Sequence, residues 1–159
     1  MTLRIRKAND SDVPSILRLV SQLDIAGDAS LGVEDGVRLL RRMATYPNYA
    51  VYVAATDTDP GTVVGTFALL VMDNFAHRGA PSAIVEDVCV DASARGQGIG
   101  RAMMDLAMDI ARQNGCYKLV LSSNGARTRA HDFYRSLGFA QHGLSFHVDL
   151  EPPSANRGD

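Results

Sequence analysis

The sequence has no tryptophan, only two cysteines and no long run of apolar residues. Cys89 and Cys116 are too few for a disulfide framework, so we predict a protein of the reducing cytoplasm. No stretch approaches the roughly 18 uninterrupted apolar residues of a membrane helix. The first residues, which alternate and carry charge, lack the apolar core of a signal peptide. The composition therefore argues against a secreted disulfide scaffold and against a membrane protein.

An excess of positive charge is also missing, since 16 basic residues face 18 acidic ones. Proteins that bind nucleic acid or an anionic membrane usually carry a basic excess, so the sequence predicts neither partner. Lysine and glutamate are scarce, and Glu86 is one of only three glutamates. Residues 91–135 are an exception because they carry a local balance of +3. This local positive charge indicates a function only if the segment also has the backbone geometry of an anion-binding site.

The chain of 159 residues is long enough for one domain with its own core. The spacing of its apolar residues predicts a strand, two helices, three strands, a helix, a strand, a helix and two short strands. This order predicts a mixed α/β domain over residues 1–150 with one central sheet. The two short strands are predicted within residues 139–150, around Gly143. Residues 151–159 are predicted to form a disordered tail.

The segment that follows the predicted strand at residues 82–90 carries the strongest functional signal. Gly96, Gly98 and Gly100 stand at alternate positions where a helix begins. Glycine lets the backbone approach a ligand closely, and the unpaired N–H groups at a helix start attract anions. Arg95 and Arg101 flank the glycines and can add charge-assisted hydrogen bonds. The segment therefore predicts a cradle for phosphate or pyrophosphate.

Two common phosphate-binding motifs do not match this segment. A dinucleotide-binding fold requires glycine where Arg101 stands, and an acidic residue about 20 positions further on. A P-loop requires Gly-Lys followed by serine or threonine, and the sequence has no such triplet. The cradle is therefore expected to hold a phosphate group of another kind of ligand.

Val88 and Val90 followed by Arg95-Gly96-Gln97-Gly98-Ile99-Gly100 resemble the acyl-CoA-binding motif of the GNAT family of N-acetyltransferases, in its small bacterial type. The resemblance extends to Asn124, and to Ala130-His131-Asp132-Phe133-Tyr134 with Leu137-Gly138-Phe139. It implies a single α/β domain with a mixed, mostly antiparallel sheet that contains a splayed strand pair and is flanked by about four helices. It also implies an enzyme that transfers the acetyl group of acetyl-CoA to a primary amine.

The same resemblance assigns acetyl-CoA, as co-substrate, to the strand end, the glycine segment and the later helix. The residues that it assigns are Val88, Cys89, Val90, Arg95, Gly96, Gln97, Gly98, Ile99, Gly100, Arg101, Asn124, Ala130, Phe133 and Tyr134. In the family, the strand before the motif is bulged, the pantetheine arm lies in the gap between the splayed strands, and a backbone N–H polarises the thioester carbonyl. Asn124 would contact the arm from the other side, unless it is only a turn residue. The four histidines lack a metal-ligand spacing, so no metal is predicted.

Two residues are predicted to be catalytic. Tyr134 matches the position that the family uses as general acid, which protonates the departing thiolate. Glu86 is our candidate for the base, because simple strand alternation places it on one face with Ile84, Val88 and Val90, where burial would raise its pKa. Asp87, which alternation points to the opposite face, is the competing candidate. Glu86 paired with an arginine in a purely structural role is the remaining alternative.

The acceptor is expected to be a small-molecule amine, attacking the thioester directly within a ternary complex. The family forms its acceptor pocket from the first two helices and nearby loops, which here are residues 24–31 and 73–81. One set of residues, 84–88 with 115–118, is similar to glucosamine-phosphate N-acetyltransferases, whereas residues 122–124 with 130–134 are similar to bacterial aminoalkylphosphonate acetyltransferases. A protein or peptide acceptor, and a non-catalytic acyl-CoA sensor, are the alternatives. The resemblance also leaves a homodimer open.

Overall fold

A computed structural model describes residues 2–23, 31–57 and 62–150 of the chain. They form two compact units, Met1–Leu121 and Ser122–Asp159, which are treated separately below. The predicted tail at residues 151–159, and most of the loop predicted at residues 24–31, lie outside the described residues.

The described part of the first unit contains five strands and three α-helices, and that of the second contains one α-helix. In chain order they are β1 (Leu3–Lys7), α1 (Val13–Val20), α2 (Val33–Met43), β2 (Tyr49–Thr56), β3 (Thr62–Met72), β4 (Ser82–Val90), α3 (Ile99–Gln113), β5 (Leu119–Val120) and α4 (Thr128–Ser136). The predicted α/β class and the number of helices are confirmed.

The five strands form one sheet in the order β1-β2-β3-β4-β5. The first three pairings are antiparallel and the last, between β4 and β5, is parallel. That last pairing joins only Ala83 with Leu119 and Ile84 with Val120. Within the described chain, the rest of β4 therefore borders no strand on its β5 side. The sheet is mixed and mostly antiparallel, with a strand pair that separates after two residues, as predicted.

Helices cover both faces of this sheet. Leu19 of α1 is fully buried and packs with Val53, Val63 and Cys89 on one face. The neighbour of Val53, Ala54, points to the other face, where it lies beside Gly65 and Met103 of α3. A Cβ atom on Gly65 would lie 2.8 Å from the Met103 sulfur, so glycine lets α3 pack closely against the sheet. Full burial of a side chain such as Leu19 stabilises the fold by about 1.5–3 kcal/mol.

Helix α3 is the element that the sequence predicts most accurately. The predicted helix, residues 98–114, is one residue longer at each end than the observed one. Gly115 has a φ of +72° and ends the helix. The Gly115 N–H donates to the Arg112 carbonyl and the Cys116 N–H to the Ala111 carbonyl, each at 3.0 Å. This is a Schellman cap, which glycine favours because it adopts positive φ without a steric penalty.

In the second unit, the prediction of two strands around Gly143 is wrong. Residues 139–150 contain no strand in the described structure. Leu144, Phe146, Val148 and Leu150 alternate as in a strand, but their exposed fractions lie between 76% and 87%. Alternation alone does not form a strand, because the backbone needs a paired neighbour for its hydrogen bonds.

Candidate active site

The glycine loop, residues 95–98, joins β4 to the N-terminus of α3. Gly96 has a φ of +79° and Gly98 a φ of +81°, which residues with a Cβ atom rarely adopt. A Cβ atom built on either glycine would meet no heavy atom of the described structure within 4 Å. The space above the loop is therefore open to a ligand, beside amides that the first turn of α3 leaves without an intrahelical acceptor.

Asp91 ties the start of this loop to α1. Its carboxylate accepts hydrogen bonds from Arg18, from the Ser93 N–H at 3.0 Å and from the Ser93 hydroxyl at 2.7 Å. Arg18 also donates to the Val63 carbonyl at 2.9 Å. The hydrogen bond from Arg18, followed by those from Ser93, holds the pKa of Asp91 well below its usual range. From the sequence, Asp91 is only one of the acidic residues of the 91–135 segment, because nothing local marks its contact with Arg18, 73 residues earlier.

Strand β4 contains a bulge at Asp87 and Val88. Glu86 lies opposite Ala68 of β3, and Cys89 lies opposite Thr66, so two residues of β4 face the single Phe67. Asp87 has a φ of +52°, in the left-handed region that Asp and Asn tolerate better than other side chains. A bulge before the glycine motif is what the family resemblance implies.

Because of the bulge, the side chains of β4 are distributed between the two faces of the sheet differently from the prediction. Ala68 and Thr66 are two residues apart on β3 and share a face, so their partners Glu86 and Cys89 also share one. Val90, opposite Gly65, therefore faces α3 on the other side. Simple alternation placed Glu86 with Val88 and Val90, and it fails because of the extra residue. It also placed Glu86 on a buried face, whereas the residue is exposed.

The charge of Asp87 acts on Glu86, and the charges of both acids act on Tyr49. Partial loss of contact with water raises the pKa of Glu86 above its ordinary value of 4.5, and the charge of Asp87 raises it further. The pKa of the Tyr49 hydroxyl is raised by burial, then by the charges of Asp87 and Glu86. Tyr49 was not predicted as a site residue, because only the strand register brings β2 near the two acids. A carboxylate with a raised pKa is a stronger base than an ordinary one.

A cavity of about 420 Å³ opens on the same face of the sheet as Glu86. Its described lining comes from α1, the turn after it, Leu31, α2 and the three central strands, and it includes Asp87. The family resemblance implies an acceptor pocket formed by the first two helices, residues 24–31 and residues 73–81. Leu31 and both helices contribute to the cavity, and residues 73–81 do not. Residues 24–30 are not described.

In the second unit, Tyr134 packs among aromatic rings on and after α4. Its ring centroid lies 5.2 Å from that of Phe133 and 5.7 Å from that of Phe139. Burial raises the pKa of the Tyr134 hydroxyl, and Arg127 lowers it by a smaller amount. The balance keeps the phenol protonated, which is the form that a general acid requires.

Asn124 and Ala130 lie at the start of the same unit. The side-chain oxygen of Asn124 accepts the Ala126 N–H at 2.9 Å, and its carbonyl accepts the Arg127 N–H at 3.0 Å. The Ala130 N–H donates to the Arg127 carbonyl at 3.0 Å. These contacts give Asn124 the role of a turn residue before α4, and its predicted contact with the pantetheine arm stays a prediction.

Some of the remaining predicted site residues are exposed and others are buried. Arg95 is exposed, and its Nε–H donates to the Val90 carbonyl at 3.3 Å. Gln97 and Arg101 are exposed, whereas Ile99 is buried under the start of α3. Cys89 is buried with its sulfur 3.0 Å from the Leu19 carbonyl, so it belongs to the core.

The residues that the structure describes contain no group of three histidine, cysteine, aspartate or glutamate side chains that could hold a metal ion. None of their helices has both the length and the apolar composition needed to cross a membrane.

Comparison with known proteins gives consistent matches. The sequence profile of the Acetyltransferase (GNAT) family matches residues 22–139. The chain is 34% identical over 149 residues to a glucosamine 6-phosphate N-acetyltransferase of Trypanosoma brucei brucei, covering 93% of this chain and 96% of that one. It is 30% identical over 139 residues to a thialysine N-epsilon-acetyltransferase of Bos taurus, covering 84% of this chain and 82% of that one.

A solved structure agrees with these sequence matches. An acetyltransferase of Trypanosoma brucei superposes with a TM-score of 0.77 at 30% identity, covering 94% of this chain and all of that one. The profile spans more than half of the chain and includes β4, the glycine loop and α4. The chain is therefore an acyltransferase that belongs to the acetyltransferase (GNAT) family.

Proposed function

We propose that this protein transfers the acetyl group of acetyl-CoA to the primary amine of a small molecule, by direct attack in a ternary complex. The observation that carries the proposal is the bulged strand β4, which runs into a glycine loop opening the N-terminus of α3. Family membership supports the acyl transfer. Two relatives are named for acetylating glucosamine 6-phosphate and thialysine. These names support an amine acceptor but differ in its identity.

The residues of the loop fit the phosphate groups of acetyl-CoA. Open space lies above Gly96 and Gly98, the amides at the start of α3 can donate to phosphate oxygens, and Arg95 is exposed nearby. The β5 side of β4 beyond Ile84 borders no strand in the described chain, which leaves backbone of Val88 and Val90 for the pantetheine arm. When bound, acetyl-CoA supplies an acyl group activated as a thioester.

Glu86 is the proposed base. An amine with a pKa near ~10.4 is about one part in 10³ neutral at pH 7, so a proton must leave before attack. The raised pKa of Glu86 suits it to accept that proton, directly or through water. Asp87 stays the alternative, because it lines the cavity and its charge acts on Glu86.

Tyr134 is the proposed acid. The amine nitrogen forms a bond to the acetyl carbon, and the thioester C–S bond breaks. A protonated primary amine loses two protons in becoming an amide: one ends on the CoA sulfur and one is released to solvent. The protonated Tyr134 phenol is the group proposed to supply the proton that the sulfur receives.

The test is release of free thiol from acetyl-CoA by the purified full chain, against a panel of amino sugars, aminophosphonates, alkyl and aryl amines, polyamines and peptides. We expect amine-dependent thiol release together with an acetylated product of the added amine by mass spectrometry. Calorimetric titration with CoA, NAD and ATP checks the cradle, and we expect binding of CoA alone. Binding of CoA without thiol release for any amine would instead indicate an acyl-CoA sensor, and release with peptides only would indicate a protein acetyltransferase.

A further inference from the structure

The cavity between the sheet and the first two helices is lined mostly by aliphatic and aromatic residues. Only three of its lining residues carry a polar side chain, and these are Ser21, Thr66 and Asp87. The apolar residues are Val13, Ile16, Leu17, Val20, Leu31, Leu39, Leu40, Met43, Val51, Phe67 and Ala68. A volume of about 420 Å³ lies within the roughly 300–1,000 Å³ of small-molecule pockets.

The charge of the cavity has one sign. Asp87 is the only ionisable residue of its described lining. The described walls therefore offer no cation.

A phosphorylated acceptor does not suit such walls. A phosphate group taken from water needs charge-assisted hydrogen bonds, which arginine and lysine supply best. Beside aliphatic side chains and the Asp87 carboxylate it would lose hydration without compensation and meet a charge of its own sign. A cationic amine on an apolar skeleton has the opposite properties, because its carbon atoms would lie against the walls and its ammonium group would face Asp87.

The cavity also directs such an amine toward the proposed base. Ala68 lines the cavity and lies directly opposite Glu86 in the register of β3 and β4. Residues paired in this way have Cβ atoms about 4.5–5.5 Å apart. An ammonium group held at Asp87 would therefore be next to Glu86 on the same face of the sheet.

We infer that this cavity is the acceptor site and that it selects a primary amine on an unphosphorylated, apolar skeleton, such as an arylalkylamine or a long alkylamine. The inference rests on the proposed acetyl transfer and names its substrate class. It departs from the trypanosome relative, whose name specifies a phosphorylated amino sugar.

The decisive comparison uses 2-phenylethylamine, hexylamine, glucosamine and glucosamine 6-phosphate as acceptors in the thiol-release assay. We expect kcat/KM for 2-phenylethylamine to exceed that for glucosamine 6-phosphate by about tenfold or more, since apolar contacts of this size discriminate by that amount. A preference for glucosamine 6-phosphate would overturn the inference while the proposed acetyl transfer stands.

Two matched pairs of variants connect the preference to the cavity. Leu39→Arg introduces a cation into the lining from a partly exposed position of α2. Val33→Arg, the control, places the same cation on the same helix but outside the cavity lining. We expect Leu39→Arg alone to lower kcat/KM for 2-phenylethylamine about tenfold. Asp87→Asn, which suits the positive φ, should raise KM for that amine, and Asp105→Asn on α3 should not. Equal effects within either pair would contradict the inference.

A binding measurement separates this inference from the proposed function. If acetyl-CoA binds but no amine releases thiol, the proposed transfer is wrong, and calorimetric titration with 2-phenylethylamine decides the inference alone. Binding that is lost in Leu39→Arg and kept in Val33→Arg supports it. A wild-type protein that does not bind 2-phenylethylamine overturns it.

Discussion

Arg18 of α1 donates to the carboxylate of Asp91, the residue that follows β4 and precedes the glycine loop. Arg18 also holds the Val63 carbonyl of β3, so one side chain joins a helix, a strand and a loop. Gln22, just after α1, accepts the Ala92 N–H at 3.1 Å. The start of the loop is thus fixed from the helical layer on one face of the sheet.

Replacing Arg18 by methionine should destabilise the protein by about 1–2 kcal/mol, because it removes the charged donor of the Asp91 carboxylate and a donor of the Val63 carbonyl. It should also raise KM for acetyl-CoA, because the loop loses its anchor. Urea unfolding and steady-state kinetics measure the two effects. Arg38→Met removes an exposed pair with Asp35 and should cost less than about 0.5 kcal/mol. Equal losses in the two variants would contradict the anchoring role.

The low pKa of Asp91 means that its carboxylate stabilises the folded protein by an amount that depends on pH. Its carboxylate is stabilised when folded, so the contribution is fully present above the unfolded pKa near ~3.9 and is lost as the pH falls below that value toward the folded pKa. Between pH 7 and 3 the wild type should therefore lose more unfolding free energy than Asp91→Asn. Urea unfolding at several pH values tests this, and parallel curves for the two proteins would disprove it.

Glu86→Gln should separate activity from stability. The raised pKa means that the folded protein holds this proton more tightly than the unfolded chain, so the wild type loses stability as the pH rises from about 4.5 through the folded pKa. At pH 7 the variant should be at least as stable as the wild type, while kcat/KM falls about 100-fold with loss of the base. The control Glu34→Gln, at an exposed position of α2, should keep wild-type kcat/KM. A Glu86→Gln protein of full activity would move the base assignment to Asp87.

Gly98→Ala tests the cradle against an equivalent strain at the other end of α3. Gly98 has a φ of +81° and Gly115 a φ of +72°, so alanine at either position costs about 1–2 kcal/mol. Only at Gly98 does the added methyl group point into the open space proposed for the CoA phosphates. We expect a rise in KM for acetyl-CoA, about tenfold, in Gly98→Ala and none in Gly115→Ala. The same KM in both variants would mean that the phosphates bind elsewhere.

Tyr134→Phe should lower kcat by about 100-fold or more, because the thiolate leaves without its proton donor, and should leave the Kd for acetyl-CoA near the wild-type value. Calorimetry and single-turnover kinetics measure the two quantities. Tyr117→Phe, which removes an exposed hydroxyl from a ring stacked on His77, is the control. An unchanged kcat in Tyr134→Phe would remove tyrosine from the mechanism.

Local signals in the sequence predict the elements that depend on local structure. The glycines at 98 and 115 locate both ends of α3, and Gly138 locates the end of α4, with a φ of +90°. Each signal works because a helix end needs a backbone conformation that glycine adopts without strain. The resemblance to a family then adds the sheet and its separated strand pair.

Local signals do not predict features that depend on strand register. The face of Glu86 was assigned by counting alternate residues, and one bulge residue made that count wrong for Val88 and Val90. Tyr49 and the Arg18–Asp91 pair come from segments far apart in the chain. The cavity walls require three strands and two helices in their final positions, so no single motif contains them.

The bulge also limits what β4 tolerates. Val85 is opposite Leu69 and shares its face with the α3 contacts, whereas Cys89 touches α1. The sequence positions that face each side thus change partway along the strand, because the bulge adds one residue between Glu86 and Cys89. Deleting Val88 would leave Glu86 and Cys89 two positions apart, as in a regular strand, so Cys89 would keep its face. What the deletion would remove is the bulge that holds Asp87 at a φ of +52°. The extra residue therefore shapes the backbone beside the cavity and does not decide which face the end of the strand presents.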